Sequence, residues 1–421
     1  MGLDLKKLER NQCRVCGNAN LDSILSLGDL YISDFTDTGE GQDIVPLELV
    51  LCDSSKGGCG LLQLKHTVPG DNLYRNYWYK SGVNQSMRTA LRDIVEKAER
   101  LVKLEAGDLV LDIGANDGTL LRAYSNPYVL KVGFEPAKNL LDEAKVGTTK
   151  ILNDYFNFQV VQREFGNKKA KVITSIAMFY DLDDPNKFVN DVRRSLDKDG
   201  VWVIQMAYLP MMLESNAFDN ICHEHLEYYS LHSLENLLAR HSLEVFDMET
   251  NDVNGGSYRV YIQHEGAGFK ALPENGGNLE KFRKMEEELE LNSRKPYDAF
   301  AQRVESLKKK CVEFISQERK KAKKVFVYGA STKGNTLLQY YGLDSTVIEA
   351  AAERNPAKYG MKTIGTKIPI LSEQDCRDKK PDYFLVLPWH FKGEFVKREN
   401  EYLQNGGKLI FPLPEFEVVS K

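Results

Sequence analysis

The stretch from Asp108 to Glu135 constrains the fold of this chain more than any other. Residues 109–113, LVLDI, are an almost unbroken apolar run and read as a parallel strand buried on both faces. Gly114 and Gly118 then bracket Ala115 to Asp117 as a turn, and a second strand, VLKVGF, ends on Glu135 about twenty residues on. A strand, a glycine turn, a helix and a second parallel strand connect in one hand only, and the unit propagates into a doubly wound sheet. The alternation continues with strand 151–152, Asp154 and Tyr155 at its end, helix 160–165, strand 172–177, helix 185–196 and strand 201–206. Ligands of such sheets lie beyond the carboxyl ends of the strands, which here means residues 177–181 and 205–208, and an acid at the tip of the second strand is placed to hold the hydroxyls of a ribose. A dinucleotide fingerprint is excluded, because Asn116 stands where the second glycine must let backbone amides approach a pyrophosphate.

A chain of 421 residues exceeds one ordinary core, so two to three domains are expected. A net charge of -5 with 28% charged residues gives no electrostatic reason to seek nucleic acid or an acidic membrane surface. No apolar run reaches the length of a membrane span and the start lacks a signal-peptide core, so a cytoplasmic protein is expected. Seven cysteines, an odd number, argue against a disulfide framework. Cys13 and Cys16 form C-R-V-C, and Cys52 and Cys59 form C-D-S-S-K-G-G-C. Paired knuckles have the pattern of a structural zinc ribbon, in which four thiolates close a tetrahedron; four reduced thiols in a small β subdomain are the plainer alternative. So short a segment cannot build a core alone, and a metal clip would hold strands at 21–27, 47–52 and 61–64.

Residues 73–85, LYRNYWYKSGVNQ, crowd Tyr74, Tyr77, Trp78 and Tyr79 together, either as core or as a pocket wall where Tyr79, Ser81 and Asn84 meet a polar ligand. Apolar residues at spacings of three and four from Leu91 to Val102 predict a helix. After strand 201–206 comes Asp219 to Ser230, DNICHEHLEYYS. An extended chain would point His223 and His225 the same way; a helix would turn His223 toward Glu227. Histidine titrates near neutral pH and suits proton abstraction from a weakly acidic carbon; two surface histidines in a polar loop are the bland alternative. A helical zinc-protease signature would need a histidine where Glu227 stands. Strands at 243–248 and 257–264 follow, joined through Asn254, Gly255 and Gly256 in a turn beside the site.

Residues 279–324 are charged and helical and read as a solvated connector without chemistry. A new α/β unit begins with strand 325–328, the turn Gly329 to Lys333 and Gly334 opening a helix. Helix-end amides with Lys333 as a point charge suit an anion, although the glycine spacing is not that of a P-loop; an inert docking domain is the alternative. Strands at 346–351, 383–387 and 408–411 complete a smaller sheet, with Trp389 and His390 following one of them.

In chain order, the paired cysteine knuckles, Y-W-Y-K-S-G-V-N, L-D-I-G-A-N-D-G, H-E-H-L-E-Y-Y-S, N-G-G-S, G-A-S-T-K-G and P-W-H together resemble the sugar C-methyltransferases of deoxysugar biosynthesis over nearly the whole chain. The L-D-I-G-A-N-D-G element is shared with S-adenosylmethionine-dependent methyltransferases at large; the H-E-H loop and the G-A-S-T-K-G turn are more specific. The resemblance implies an α/β protein with a small N-terminal zinc-binding β subdomain (1–72), a central Rossmann-like methyltransferase sheet (73–270), a helical connector (271–320) and a C-terminal Rossmann-like domain (321–421) binding a nucleoside diphosphate sugar. It implies S-adenosyl-L-methionine held by Asp112, Gly114, Asn116, Gly118, Glu135, Asp154 and Ala177, and a structural zinc on Cys13, Cys16, Cys52 and Cys59. His225 would be the general base, with Glu224 as its support, His223 beside it and Tyr79 as a substrate-facing phenol. Substrate contacts would come from Tyr79, Ser81, Asn84, Asn254, Lys333 and Trp389. Cys222 and His390 depart from the tyrosine and asparagine that several members carry there. An O-methyltransferase acting on a hydroxyl, or a cofactor-bound scaffold, would fit the same motifs less fully.

Overall fold

The computed structural model describes residues 3–41, 43–75 and 77–421. The central sheet has seven strands in the order Leu243–Asn251, Ser257–His264, Leu196–Ala207, Ala170–Ile176, Leu109–Ile113, Leu130–Phe134 and Lys150–Leu152. Every residue of Leu109–Ile113 is buried, as its apolar run requires for a strand covered on both faces. It is also the strand where the sheet order reverses, the place at which doubly wound sheets open a crevice. Ser257–His264 runs antiparallel to both neighbours and closes that edge as a hairpin with Leu243–Asn251.

The C-terminal sheet has six strands, Ile370–Ser372, Ala351–Glu353, Val325–Tyr328, Tyr383–Val386, Lys408–Phe411 and Glu417–Val419, all parallel except the last. One expectation is corrected here. The strand expected at 346–351 begins only at Ala351, because Asp344 Oδ1 accepts the Thr346 N–H at 2.8 Å and ties the preceding residues into a turn. The tip of that strand therefore falls on Glu353.

The N-terminal sheet consists of Leu21–Tyr31, Ile44–Cys52 and Leu62–Leu64, and takes Glu227–Tyr228 as its fourth strand. A second pairing, Phe35–Thr36 with Lys362–Thr363, forms a separate two-stranded sheet that joins the same unit to the C-terminal one. The expected connector is a second correction. In the helix Lys295–Lys320, the buried residues Tyr297, Phe300, Val304, Leu307, Cys311 and Ile315 join the core of the C-terminal sheet, so only one face is solvated. Among the described residues, no helix is long and apolar enough to cross a membrane.

The four N-terminal cysteines converge. Cys13 Sγ lies 3.6 Å from Cys59 Sγ and Cys16 Sγ 3.4 Å from Cys52 Sγ, and all four sulfurs are within 4.8 Å of one another. A zinc tetrahedron with bonds of about 2.3 Å has sulfur–sulfur edges of about 3.8 Å, so the cluster fits that ion. The longer second knuckle closes because Gly57 adopts φ +78°; at Gly58 a Cβ would stand 2.6 Å from Cys52 Sγ. Between Cys13 and Cys16, the buried Arg14 donates to Gln63 Oε1 (3.0 Å), Leu64 O (2.6 Å) and Thr67 Oγ1 (2.6 Å), tying the knuckle to the inner strand of the sheet. Metal analysis of the purified protein should find about one zinc per chain. Cys52→Ser should release it and lower the thermal midpoint, since metal binding here is folding free energy; an unchanged midpoint after metal loss would show that the clip is dispensable.

Candidate active site

Three strand tips of the central sheet meet where the sequence places the cofactor. Gly114 turns at φ +75°, with its N–H on Phe134 O at 2.9 Å, and a Cβ there would press on Met178 Cγ at 3.1 Å. Glu135 Oε2 accepts from Asn116 N and Oε1 from Ala137 N, both at 2.7 Å. Burial pushes Glu135 up to about 7, against those two amide bonds. Asp112 is sealed inside, accepts from Thr174 Oγ1 at 2.6 Å and is pushed by burial up to about 7. Asn116 and Ala177 hold positive φ of 50° and 52° without being glycine, backbone strain of the kind found at functional sites. Gly118 has a packing reason of its own, since a Cβ there would stand 2.7 Å from Ala144 O. Asp154 is exposed and accepts from the Tyr155 N–H at 2.8 Å.

The aromatic segment lies against this turn: Asn116 Nδ2 donates to Tyr79 O (3.0 Å), and Ser81 N to Asn116 Oδ1 (2.9 Å). Tyr79 itself is 46% exposed, and its phenol makes no protein hydrogen bond among the described residues. Asn84 caps the helix Gln85–Leu101 by accepting from Ser86 N at 3.1 Å. The phenol of this segment that bonds the histidine stretch is Tyr74, which donates to Glu224 O at 2.7 Å.

The stretch from Cys222 to His225 is neither extended nor helical. It is a turn closed by His225 N on Cys222 O at 3.0 Å, which sends the two imidazoles apart. His223 is bonded through Nε2 to Val45 O at 2.9 Å in the N-terminal sheet. A carbonyl only accepts, so that nitrogen carries the proton and His223 serves as a structural clamp, not as a base in the crevice. His225 is 7% exposed and bonded through Nδ1 to Asn220 O at 2.9 Å. By the same argument Nδ1 is protonated, and Nε2, which has no protein partner among the described residues, keeps its lone pair. Burial and then the Lys333 cation push His225 down to about 3, so it is neutral at physiological pH. Its ring lies 4.3 Å from that of Tyr180, three residues beyond Ala177 at the strand tip. The expected support from Glu224 is corrected: the orienting group is the Asn220 carbonyl. Glu224 instead accepts from Thr332 Oγ1 at 3.4 Å in the C-terminal turn, and burial raises it to about 7. Cys222 Sγ, a Glu224 oxygen and a His225 nitrogen nevertheless lie within 4.8 Å of one another.

The C-terminal unit completes the site. Lys333 donates to Asn220 Oδ1. Trp389 Nε1 donates to Asp219 Oδ2 at 3.0 Å, and its indole backs onto the turn at Asn254 and Gly255, where a Cβ on Gly255 would lie 3.4 Å from the ring. Trp389 thus spends its one donor inside the protein. Sequence reasoning placed Tyr180 and Asp181 at the strand tips without giving either a role, and passed over Asn220; Asp181 Oδ1 is buried without a partner among the described residues. It also passed over Glu286, in the run read as a connector, which accepts from Leu231 N (2.6 Å), His232 N (2.9 Å) and Tyr208 Oη (2.7 Å) and so anchors the helix that follows the histidine stretch. Their signal was position: Tyr180 and Asp181 follow a strand tip, and Asn220 sits inside the histidine stretch.

Three family models match successive parts of the chain: a zinc binding domain over residues 13–74, a methyltransferase domain over 83–247 and a C-methyltransferase C-terminal domain over 252–414. The C-methyltransferase NovU of Streptomyces niveus is 31% identical over 417 residues, 97% of each chain. Among solved structures, the plantazolicin methyltransferase BpumL in complex with SAH matches with a TM-score of 0.34 at 13% identity, over 42% of this chain and 84% of that one. The magnesium protoporphyrin IX methyltransferase of Synechocystis PCC 6803 matches with a TM-score of 0.35 at 11% identity, over 44% and 90%.

The charge of Lys333 makes protonation of His225 harder, so removing it should move the imidazole toward its ordinary value. In Lys333→Met, histidine-labelled NMR should show the His225 titration at higher pH than in the unsubstituted protein. A lower or unmoved midpoint would contradict the coupling.

Proposed function

The chain belongs to the C-methyltransferase family and is a methyltransferase dependent on S-adenosyl-L-methionine, with a zinc-binding N-terminal domain; on that premise we propose that it methylates a carbon next to the ketone of a keto-deoxysugar carried on a nucleoside diphosphate. The observation that carries this reading is the 2.9 Å contact between His225 Nδ1 and Asn220 O. With Nδ1–H committed to Asn220 O, Nε2 is the atom able to take a proton from the carbon, and the ring is neutral at physiological pH. A C–H beside a ketone becomes nucleophilic only as an enolate, and its negative charge needs a partner that gains strength as it develops. Glu224, held near neutrality in its titration, retains a proton part of the time and can donate it in a hydrogen bond to the enolate oxygen. Glu135 and the Gly114 turn grip the cofactor's ribose, Ala177 and Met178 shape the crevice beside them, and Lys333 attracts the diphosphate. When bound, the cofactor supplies an electrophilic methyl group on a sulfonium. Because Tyr180 spans from the Ala177 tip to the His225 ring, the proton is removed close to the cofactor side of the crevice. Tyr79, Ser81, Asn84 and Asn254 are assigned to the rim.

His225→Ala should lower turnover by about 10²–10⁴-fold, the usual worth of a general base, while S-adenosylmethionine affinity by calorimetry stays within twofold. Before any methyl transfer, the unsubstituted enzyme should exchange the acidic C–H of the sugar for deuterium in heavy water, and the alanine variant should not. Carbon-13 spectra of product made with labelled methyl groups should show a C–CH3 signal; an O–CH3 signal, or near-normal turnover by the variant, refutes the mechanism.

A further inference from the structure

The two parallel sheets carry the same device at the tips of their first two strands. In the central sheet Gly114 turns at φ +75° and donates its N–H to Phe134 O, the residue before Glu135, at 2.9 Å; in the C-terminal sheet Gly329 turns at φ +87° and donates to Ala352 O, the residue before Glu353, at 2.8 Å. Glu135 then accepts the amides of Asn116 in the turn and of Ala137, both at 2.7 Å. Glu353 accepts the amides of Ala330 in its turn at 2.8 Å and of Arg354 and Asn355, both at 2.9 Å. In each case the acid ends a second strand that lies parallel to the first. This is where doubly wound sheets hold furanose hydroxyls. A carboxylate has about four lone-pair positions, so two or three amide donors leave room for a hydroxyl.

The surroundings of Glu353 fit a nucleotide lying toward the histidine stretch. Lys358 Nζ donates to Ala330 O at 2.6 Å, so the turn is pinned on its carbonyl side as well as its amide side. Ser331 caps the helix Thr332–Tyr341 through Gly334 N at 3.0 Å, and Lys333 on its first turn reaches Asn220, whose carbonyl orients His225. A furanose at Glu353 with its diphosphate at Lys333 puts the attached hexose on the His225 side.

We propose that Glu353 is a second nucleoside-binding carboxylate, accepting a hydroxyl of the furanose of the nucleoside diphosphate whose phosphates meet Lys333. This rests on the reading of the C-terminal unit as the nucleotide-sugar site. The test titrates the full-length protein, saturated with S-adenosylhomocysteine, by calorimetry with UDP, dTDP, CDP, GDP, ADP and inorganic pyrophosphate. The nucleotide that binds best is then compared with its 2′,3′-dideoxy counterpart. The expected result is a loss of about tenfold on removing the hydroxyls, a loss that disappears in Glu353→Gln while pyrophosphate affinity stays within twofold. Equal binding of the hydroxylated and dideoxy forms to the unsubstituted protein overturns the inference and leaves the nucleotide-sugar reading standing. So does a Glu353→Gln variant that loses pyrophosphate as strongly as nucleotide, because Glu353 would then merely close the turn. No binding of any nucleoside diphosphate to the unsubstituted protein overturns both.

Discussion

The whole arrangement depends on burying Asp219 to Ser230 in the seam between three units. Backbone polar groups withdrawn from water must find partners or cost about 1–3 kcal/mol each, and this stretch finds them on every side. Leu226 N donates to Tyr180 O in the central domain at 2.8 Å, while Leu64 N of the N-terminal sheet donates to Leu226 O at 2.8 Å. The Tyr228 hydroxyl donates to His225 O at 3.1 Å, and Asp219 takes the Trp389 N–H from the C-terminal unit. No single unit offers all these partners, so the stretch is satisfied only where the three meet.

Burial also sets the electrostatics. Asp181, Glu224 and Glu227 are each pushed upward chiefly by desolvation, and Asp181 further by the two glutamates, Glu224 by Asp34 and Glu227 by Asp183. The cations that partly offset this are Lys333, from the C-terminal unit, and Arg14, whose Nε stands 3.8 Å from Glu227 Oε1. His225 is shifted the opposite way by the same desolvation, as a base whose charged form is the protonated one.

Much of this was legible in the residues. The buried run at Leu109–Ile113 needed no tertiary information, nor did the acid closing the next strand, and cysteine spacing alone marked the clip. What escaped the sequence depended on contacts between distant segments. The choice between His223 and His225 is made by Val45 and Asn220, and neither period of two nor of 3.6 describes the turn that separates them. The helix Lys295–Lys320 looked polar because its apolar stripe is narrow and its charges are many, yet that stripe is core. Glu353 was hidden by a strand drawn five residues too early, since Asp344 ends the preceding segment by bonding its own neighbour.

Arg14 has one last implication. It lies inside the first cysteine knuckle and grips the strand, Leu62–Leu64, on which the histidine stretch is laid. The cysteine clip and the register of the histidine turn are therefore parts of one packed unit. The four thiols and the buried imidazoles thus hang on one small sheet, so that whatever loosens the first loosens the footing of the second.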